Sequence, residues 1–146
     1  MALARLLIVD DEENLRTSLC QAFRMEGYEV TGAADAQEAL SLIQEANFDV
    51  LLSDLMMPGL DGLSLLEKAQ VLMPDVVVIL MTGQGTVESA IRALKGGAYD
   101  YILKPFKLEE IFHAVGRGLE QQRLRRENLA LTEINRDDID RLIEVR

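Results

Sequence analysis

Four short apolar runs that do not alternate set the tightest limit on how this chain can fold. They are Leu6-Leu7-Ile8-Val9, Val50-Leu51-Leu52, Val76-Val77-Val78-Ile79-Leu80 and Tyr101-Ile102-Leu103. A strand with one wet face reads apolar-polar-apolar, whereas an unbroken run reads as a strand covered on both faces, the habit of parallel sheets. Tyr28-Glu29-Val30-Thr31 is a fifth candidate, and its greater polarity predicts a place at a sheet edge.

Helix-period segments fill the gaps. Leu15, Leu19, Ala22 and Phe23 make one stripe, stopped near Gly27. Ala36, Ala39, Leu40 and Ile43 make a second, opened by Asp35 with Glu38 three residues on, the spacing of a capping box. Leu63, Leu66 and Ala69 make a third, closed by Pro74. Val87, Ala90, Ile91 and Leu94 make a fourth, ended by Gly96-Gly97. Leu108, Ile111, Phe112, Val115 and Leu119 make a fifth. Strand and helix alternate five times, which specifies an α/β fold with helices on both faces of a parallel sheet.

From about Arg117 the chain changes character. The charges there balance, seven of each sign over residues 117–146, while residues 1–116 carry 8 Lys and Arg against 18 Asp and Glu. The whole net charge of −10 therefore sits on the body. A body this acidic repels nucleic acid, which demands clustered Lys and Arg, so no direct nucleic-acid binding is expected of it. No apolar run nears the roughly 18–20 residues that span a bilayer, and no membrane association is expected. The start of the chain lacks the layout of a secretory signal, and Cys20 is the single cysteine, so a cytoplasmic address is the default. The tail reads as a continuous helix extending the fifth one. Its apolar residues, among them Leu124, Leu131, Ile134 and Ile139, fit heptads only in part, so a helical linker and a coiled-coil extension both stay open.

The polar residues matter most for function. Asp10 and Asp11 follow the first run, Asp54 the third strand, Thr82 the fourth and Lys104 the fifth. In an open parallel sheet these carboxyl ends share one edge, where ligands bind. A lone Asp after a strand is usually a turn residue or helix cap; a full set in strand order is harder to assign to capping. Three carboxylates so gathered repel one another unless cations intervene. Lys104 supplies one positive charge, and Mg²⁺, which takes oxygen ligands and only one or two carboxylates, is the natural second. With one carboxylate free as a nucleophile, the set suits phosphoryl transfer. Neither a G-x-x-x-x-G-K-[ST] loop nor a G-x-G-x-x-G motif is present. Asp54-Leu55-Met56 also lacks the second acid of aspartate-nucleophile phosphatases.

The segments Ile8-Val9-Asp10-Asp11-Glu12, Leu52-Ser53-Asp54-Leu55-Met56-Met57-Pro58-Gly59-Leu60-Asp61-Gly62, Met81-Thr82-Gly83 and Gly97-Ala98-Tyr99-Asp100-Tyr101-Ile102-Leu103-Lys104-Pro105-Phe106 resemble those of two-component response-regulator receiver domains. The resemblance covers about residues 4–120, and no key position departs from the family pattern. It implies a flavodoxin-like, doubly wound (βα)5 fold with strand order 2-1-3-4-5. The receiver would then be residues 1–120, with 121–146 a helical extension leading to an output domain. The family further implies that Asp54 accepts a phosphoryl group from a sensor histidine kinase. Asp11, with Asp10 close by, Asp54 and the backbone carbonyl of Met56 would hold Mg²⁺. Lys104 would contact the phosphoryl oxygens, Thr82 would hydrogen-bond them, Tyr101 would change rotamer with Thr82, and Pro105 would follow a cis bond. Gly83 would leave room for that movement and for the donor. Such a protein is a phosphoacceptor switch with at most slow self-dephosphorylation, not an enzyme. It would dimerise through the fourth helix, fifth strand and fifth helix, or through the tail. The wording Thr82-Gly83-Gln84-Gly85 and Gly96-Gly97-Ala98-Tyr99-Asp100-Tyr101 is similar to receivers of enhancer-binding transcription activators. The alternatives are a small Mg²⁺-dependent phosphohydrolase and a constitutive interaction domain. Cys20, Met57, Met73 and Met81 read as packing, and His113 as a surface or half-buried helix residue.

Overall fold

The computed structural model describes residues 4–145, with side chains described through Asn128. In chain order the elements are β1 (Arg5–Val9), α1 (Glu13–Met25), β2 (Glu29–Ala33), α2 (Ala36–Glu45), β3 (Val50–Asp54), α3 (Gly62–Leu72), β4 (Val77–Thr82), α4 (Val87–Lys95), β5 (Asp100–Leu103) and α5 (Leu108–Val145). The five strands form one parallel sheet in the order β2-β1-β3-β4-β5. This is the doubly wound, flavodoxin-like order, and the polar fifth candidate, β2, lies at an edge as expected.

Strand parity explains the unbroken apolar runs. Leu7, Val9, Leu51, Val78 and Leu80 face a core closed by α2, α3 and α4. Leu6, Ile8, Val50, Leu52, Ile79 and Met81 face a second core closed by α1 and α5. The edge-on pair of Phe23 and Phe112, with ring centroids 4.9 Å apart, joins those last two helices. Every residue of β3 and β4 is buried, so a one-residue slip would exchange both faces at once. Cys20, Met57, Met73 and Met81 are buried packing residues, and His113 is exposed.

The helix ends follow local chemistry. Asp35 caps α2 by accepting from the Glu38 N–H at 2.8 Å. The Glu38 carboxylate reaches back to the N–H of Ala34, one residue before the cap, so the expected box is offset by one. The stripe of Val87, Ala90, Ile91 and Leu94 marks a helix correctly yet turns outward. Val87 is 79% exposed, and only Ala93 of α4 is buried.

At the opposite end of the sheet from the strand carboxyl ends, Gln122 of α5 is buried. Its amide nitrogen donates to the backbone carbonyls of Asp75, at 2.7 Å, and Asp49, at 3.3 Å. Arg126, one turn further on, lies 3.6 Å from the Asp75 carboxylate. The tail is thus a direct continuation of α5, as expected. The heptad positions from Leu129 onward lie outside the residues whose side chains are described.

Gly62 begins α3 pressed against the end of β3. A Cβ there would stand 2.6 Å from the Asp54 carbonyl oxygen and 2.8 Å from the Leu55 Cα. Backbone cannot yield as a side chain does, so Gly62→Ala is expected to cost about 2 kcal/mol through overpacking. Urea denaturation measures this. A variant as stable as its parent would show that α3 can back away from the strand end.

Candidate functional site: an acidic pocket with one lysine

The common strand direction carries each polar candidate to one edge. Asp10 directly follows β1, Asp54 closes β3, Thr82 closes β4 and Lys104 directly follows β5. Register aligns them, with Val9 beside Ser53, Asp54 beside Met81 and Thr82 beside Leu103.

Asp10 is fully buried. One carboxylate oxygen accepts from the Lys104 ammonium at 2.9 Å and the other from the Glu12 N–H at 2.9 Å. Arg16 donates to the Asp10 backbone carbonyl at 2.8 Å. The same ammonium lies 3.4 Å from Asp54 Oδ2, while Asp54 Oδ1 accepts from the Met56 N–H at 3.3 Å. Asp11 is exposed, yet Asp10, Asp11 and Asp54 each offer one oxygen within 4.8 Å of the others. Three carboxylates against one ammonium leave two negative charges without a partner in this trio. An all-oxygen donor set with that deficit fits a hard divalent cation.

The titration behaviour follows from the geometry. Burial raises the Asp54 pKa above the ordinary 3.8; Lys104 opposes this, Asp10 adds to it, and the Met56 N–H opposes it. For Lys104 burial acts downward, but the hydrogen bond and charge of Asp10, then Asp54, outweigh it and raise its pKa. Its contribution to stability is therefore present throughout the neutral range and lost only in strong alkali.

Thr82 and Tyr101 stand beside this cluster. Thr82 is buried and its hydroxyl accepts from the Gln84 N–H at 3.1 Å. The Thr82 carbonyl accepts from the Lys104 N–H at 2.8 Å, but among the described residues no hydrogen bond ties the Thr82 hydroxyl to Asp54 or Lys104. Tyr101 is half-buried, with its hydroxyl 2.7 Å from Ser89 Oγ. The Met56 side chain is exposed. The Lys104–Pro105 peptide bond is cis, matching the expectation at Pro105. An added Cβ at Gly83 would find only Lys104 Cβ, at 3.9 Å, so Gly83 borders open space. That space is a recess of about 420 Å³ lined by Glu12, Leu15, Gly83, Lys104, Pro105 and Phe106.

Sequence reasoning missed Ser89, Arg16 and Gln122. Thr86 followed three residues later by Ser89 is a capping box written with a serine, so Ser89 had a local signal. The other two act across the fold and had none.

A partly buried lysine between two aspartates, at the carboxyl edge of a flavodoxin-like parallel sheet, defines a class of signalling domains. The model of the response regulator receiver domain matches residues 6–116, and the chain belongs to that family. It is 41% identical over 126 residues to the regulatory protein AtoC of Escherichia coli (strain K12), a match covering 86% of this chain and 27% of AtoC. The chain thus spans about a quarter of that relative. A CheY-like response regulator receiver domain protein from Methanospirillum hungatei JF-1 is similar over 85% of this chain and 99% of its own, with 36% identity and TM-score 0.81. The solution structure of the beryllofluoride-activated NtrC4 receiver domain dimer is similar over 81% and 98%, with 37% identity and TM-score 0.77.

A raised folded-state pKa means that the fold prefers protonated Asp54. The cost of its charge is present in full above that pKa and gone well below the ordinary value. In chelator-treated buffer at pH 7, Asp54→Asn is therefore expected to be more stable to urea than its parent, with the gap closing as pH falls towards 4. A variant less stable at pH 7 would mean that Lys104 overcompensates burial.

Proposed function

We propose that this receiver is a phosphorylation-controlled switch whose acceptor is Asp54, with a sensor histidine kinase as donor. The observation that carries the reading is Lys104 seated between Asp10, at 2.9 Å, and Asp54, at 3.4 Å, with Asp11 adjoining. Asp54 Oδ attacks the phosphorus of a phosphohistidine, a P–O bond forms as the P–N bond breaks, and the imidazole leaves with the bonding pair. Lys104 holds the transferring phosphoryl oxygens by charge and hydrogen bonding. Asp10 keeps the ammonium in place, and Asp10, Asp11, Asp54 and the Met56 carbonyl would hold Mg²⁺. Bound there, Mg²⁺ supplies positive charge against the phosphoryl oxygens. The recess lined by Leu15, Pro105 and Phe106 opens beside Lys104 and gives the donor a way in.

Thr82 then turns its hydroxyl to the new phosphoryl group, and Tyr101 follows into the space it leaves. The outward stripe of Val87, Ile91 and Leu94, continued by Leu103 and Leu108, is the surface that this movement alters. An apolar face of this kind suits a second copy of the chain. Residues 1–120 form the switch, and 121–146 carry its output as a helical linker towards an effector, of the enhancer-binding activator type. The setting is cytoplasmic; among the described residues no helix is long and apolar enough to cross a membrane.

Acetyl phosphate with Mg²⁺ should label about one site per chain, and Asp54→Asn should abolish it. Release of many phosphates per chain each minute would favour the hydrolase alternative instead. For assembly, sedimentation of the phosphorylated protein should show a dimer that Ile91→Glu disrupts. Disruption by removal of 121–146 alone would assign pairing to the tail.

A further inference from the structure

We infer that Ser89 is a positioning residue that latches Tyr101 in its present rotamer and so sets the threshold of the switch, an inference that rests on the proposed phosphoacceptor role of Asp54. Ser89 Oγ stands at the centre of four contacts. The Thr86 N–H lies 3.1 Å away, Thr86 Oγ1 3.1 Å, the Thr86 carbonyl oxygen 3.0 Å and Tyr101 Oη 2.7 Å. A serine hydroxyl has one hydrogen and two lone pairs. The Thr86 N–H, hydroxyl and carbonyl share that capacity with Tyr101 Oη, so either hydroxyl of the Ser89–Tyr101 pair can donate, and in both cases the first turn of α4 holds Tyr101.

Gly85 makes this latch consequential. A Cβ on Gly85 would stand 2.9 Å from Tyr101 Oη and 3.2 Å from Thr82 Cγ2, and it would also strike Leu103 Cδ2. The loop backbone is thus wedged between the two side chains that must move together. Thr82 is held on its side by the Gln84 N–H at 3.1 Å. For Thr82 to swing towards Asp54 and Tyr101 to follow, the Ser89–Tyr101 bond has to break. The latch also explains why a helix with only Ala93 buried keeps its position. Its N-terminus is tied to β5 through one hydroxyl pair, and releasing that pair frees α4 and Tyr101 together.

The test uses the full chain with Mg²⁺ and beryllofluoride as the phosphoryl probe, following the amide resonances of Thr82 to Leu94 by NMR. Tyr101→Phe removes the latch and keeps the ring and the cap, while Ser89→Ala removes both latch and box. Each should lower the beryllofluoride concentration at half-response by about fivefold, the size expected for one neutral hydrogen bond lost from the resting arrangement alone. The double variant should shift no further than Tyr101→Phe, because both changes break one bond. Ser89→Thr, which keeps the hydroxyl, should stay within about twofold of the parent. A merely structural role for Ser89 would lower stability to urea without moving the half-response, and that result overturns the latch. Additive shifts overturn it too. A parent that fails to respond, or an Asp54→Asn variant that responds equally, overturns the phosphoacceptor reading and the latch with it.

Discussion

The ammonium of Lys104 shared between Asp10 and Asp54 is the interaction on which the rest of this molecule depends. Burying a charge without a partner costs several kcal/mol, and one cation cannot neutralise three carboxylates. The fold accepts a site that is electrostatically incomplete, and this excess of negative charge makes it receptive to a divalent cation, whose charge would in turn favour a phosphoryl group at the proposed acceptor. A hydrophobic replacement of similar volume would pack well enough, so stability alone gives no reason for the cluster. The cluster is explained by what it can bind.

Holding that triangle needs a frame that cannot drift. Lys104 and Asp10 are 94 residues apart in sequence, and only the alignment of β1, β3, β4 and β5 brings them together. Cores on both faces lock every central strand, since each apolar side chain of β3 and β4 is committed to one or the other. Rigidity at the strand ends then passes abruptly into loops. Gly62 presses α3 onto the Asp54 backbone, whereas α4 buries a single residue. Precision at Asp54 and freedom at α4 are built from the same sheet edge.

The pattern of what could be read from the sequence follows from the range of the interactions. The runs at Leu6–Val9 and Val76–Leu80 announced buried parallel strands because both faces must be apolar, and Asp10, Asp54, Thr82 and Lys104 were legible as the residues ending those runs. The strand order 2-1-3-4-5 came from resemblance, since apolar runs do not say which neighbours pair. Periodicity located α4 but gave no direction for its stripe, because Val87, Ile91 and Leu94 obey helical spacing whether they face a core or solvent. Glu38 sat at box spacing, yet its carboxylate chose the Ala34 N–H, a choice made by loop geometry. Gln122 looked like one more polar tail residue; only the carbonyls of Asp49 and Asp75, distant in sequence, make it a buried clasp.

Magnitudes decide whether a phosphoryl group on Asp54 can move α4. A neutral hydrogen bond such as that of Tyr101 to Ser89 contributes about 1 kcal/mol net, and the Gln84 N–H on Thr82 a similar amount. A hydroxyl bonded to a phosphoryl oxygen makes a charge-assisted bond, about twice as strong. One new bond therefore roughly balances the two it displaces. The balance leaves an equilibrium that neither state owns, and modest differential affinity is then enough to move it. Any further gain must come from outside the switch itself, from the apolar surface of α4 and β5 that the movement offers to a partner. Because Val87, Ile91, Leu94 and Leu103 are already exposed with Tyr101 held by Ser89, under the proposed switch a partner would read the shape of that surface and not merely its presence, and association and phosphorylation would reinforce each other by linkage.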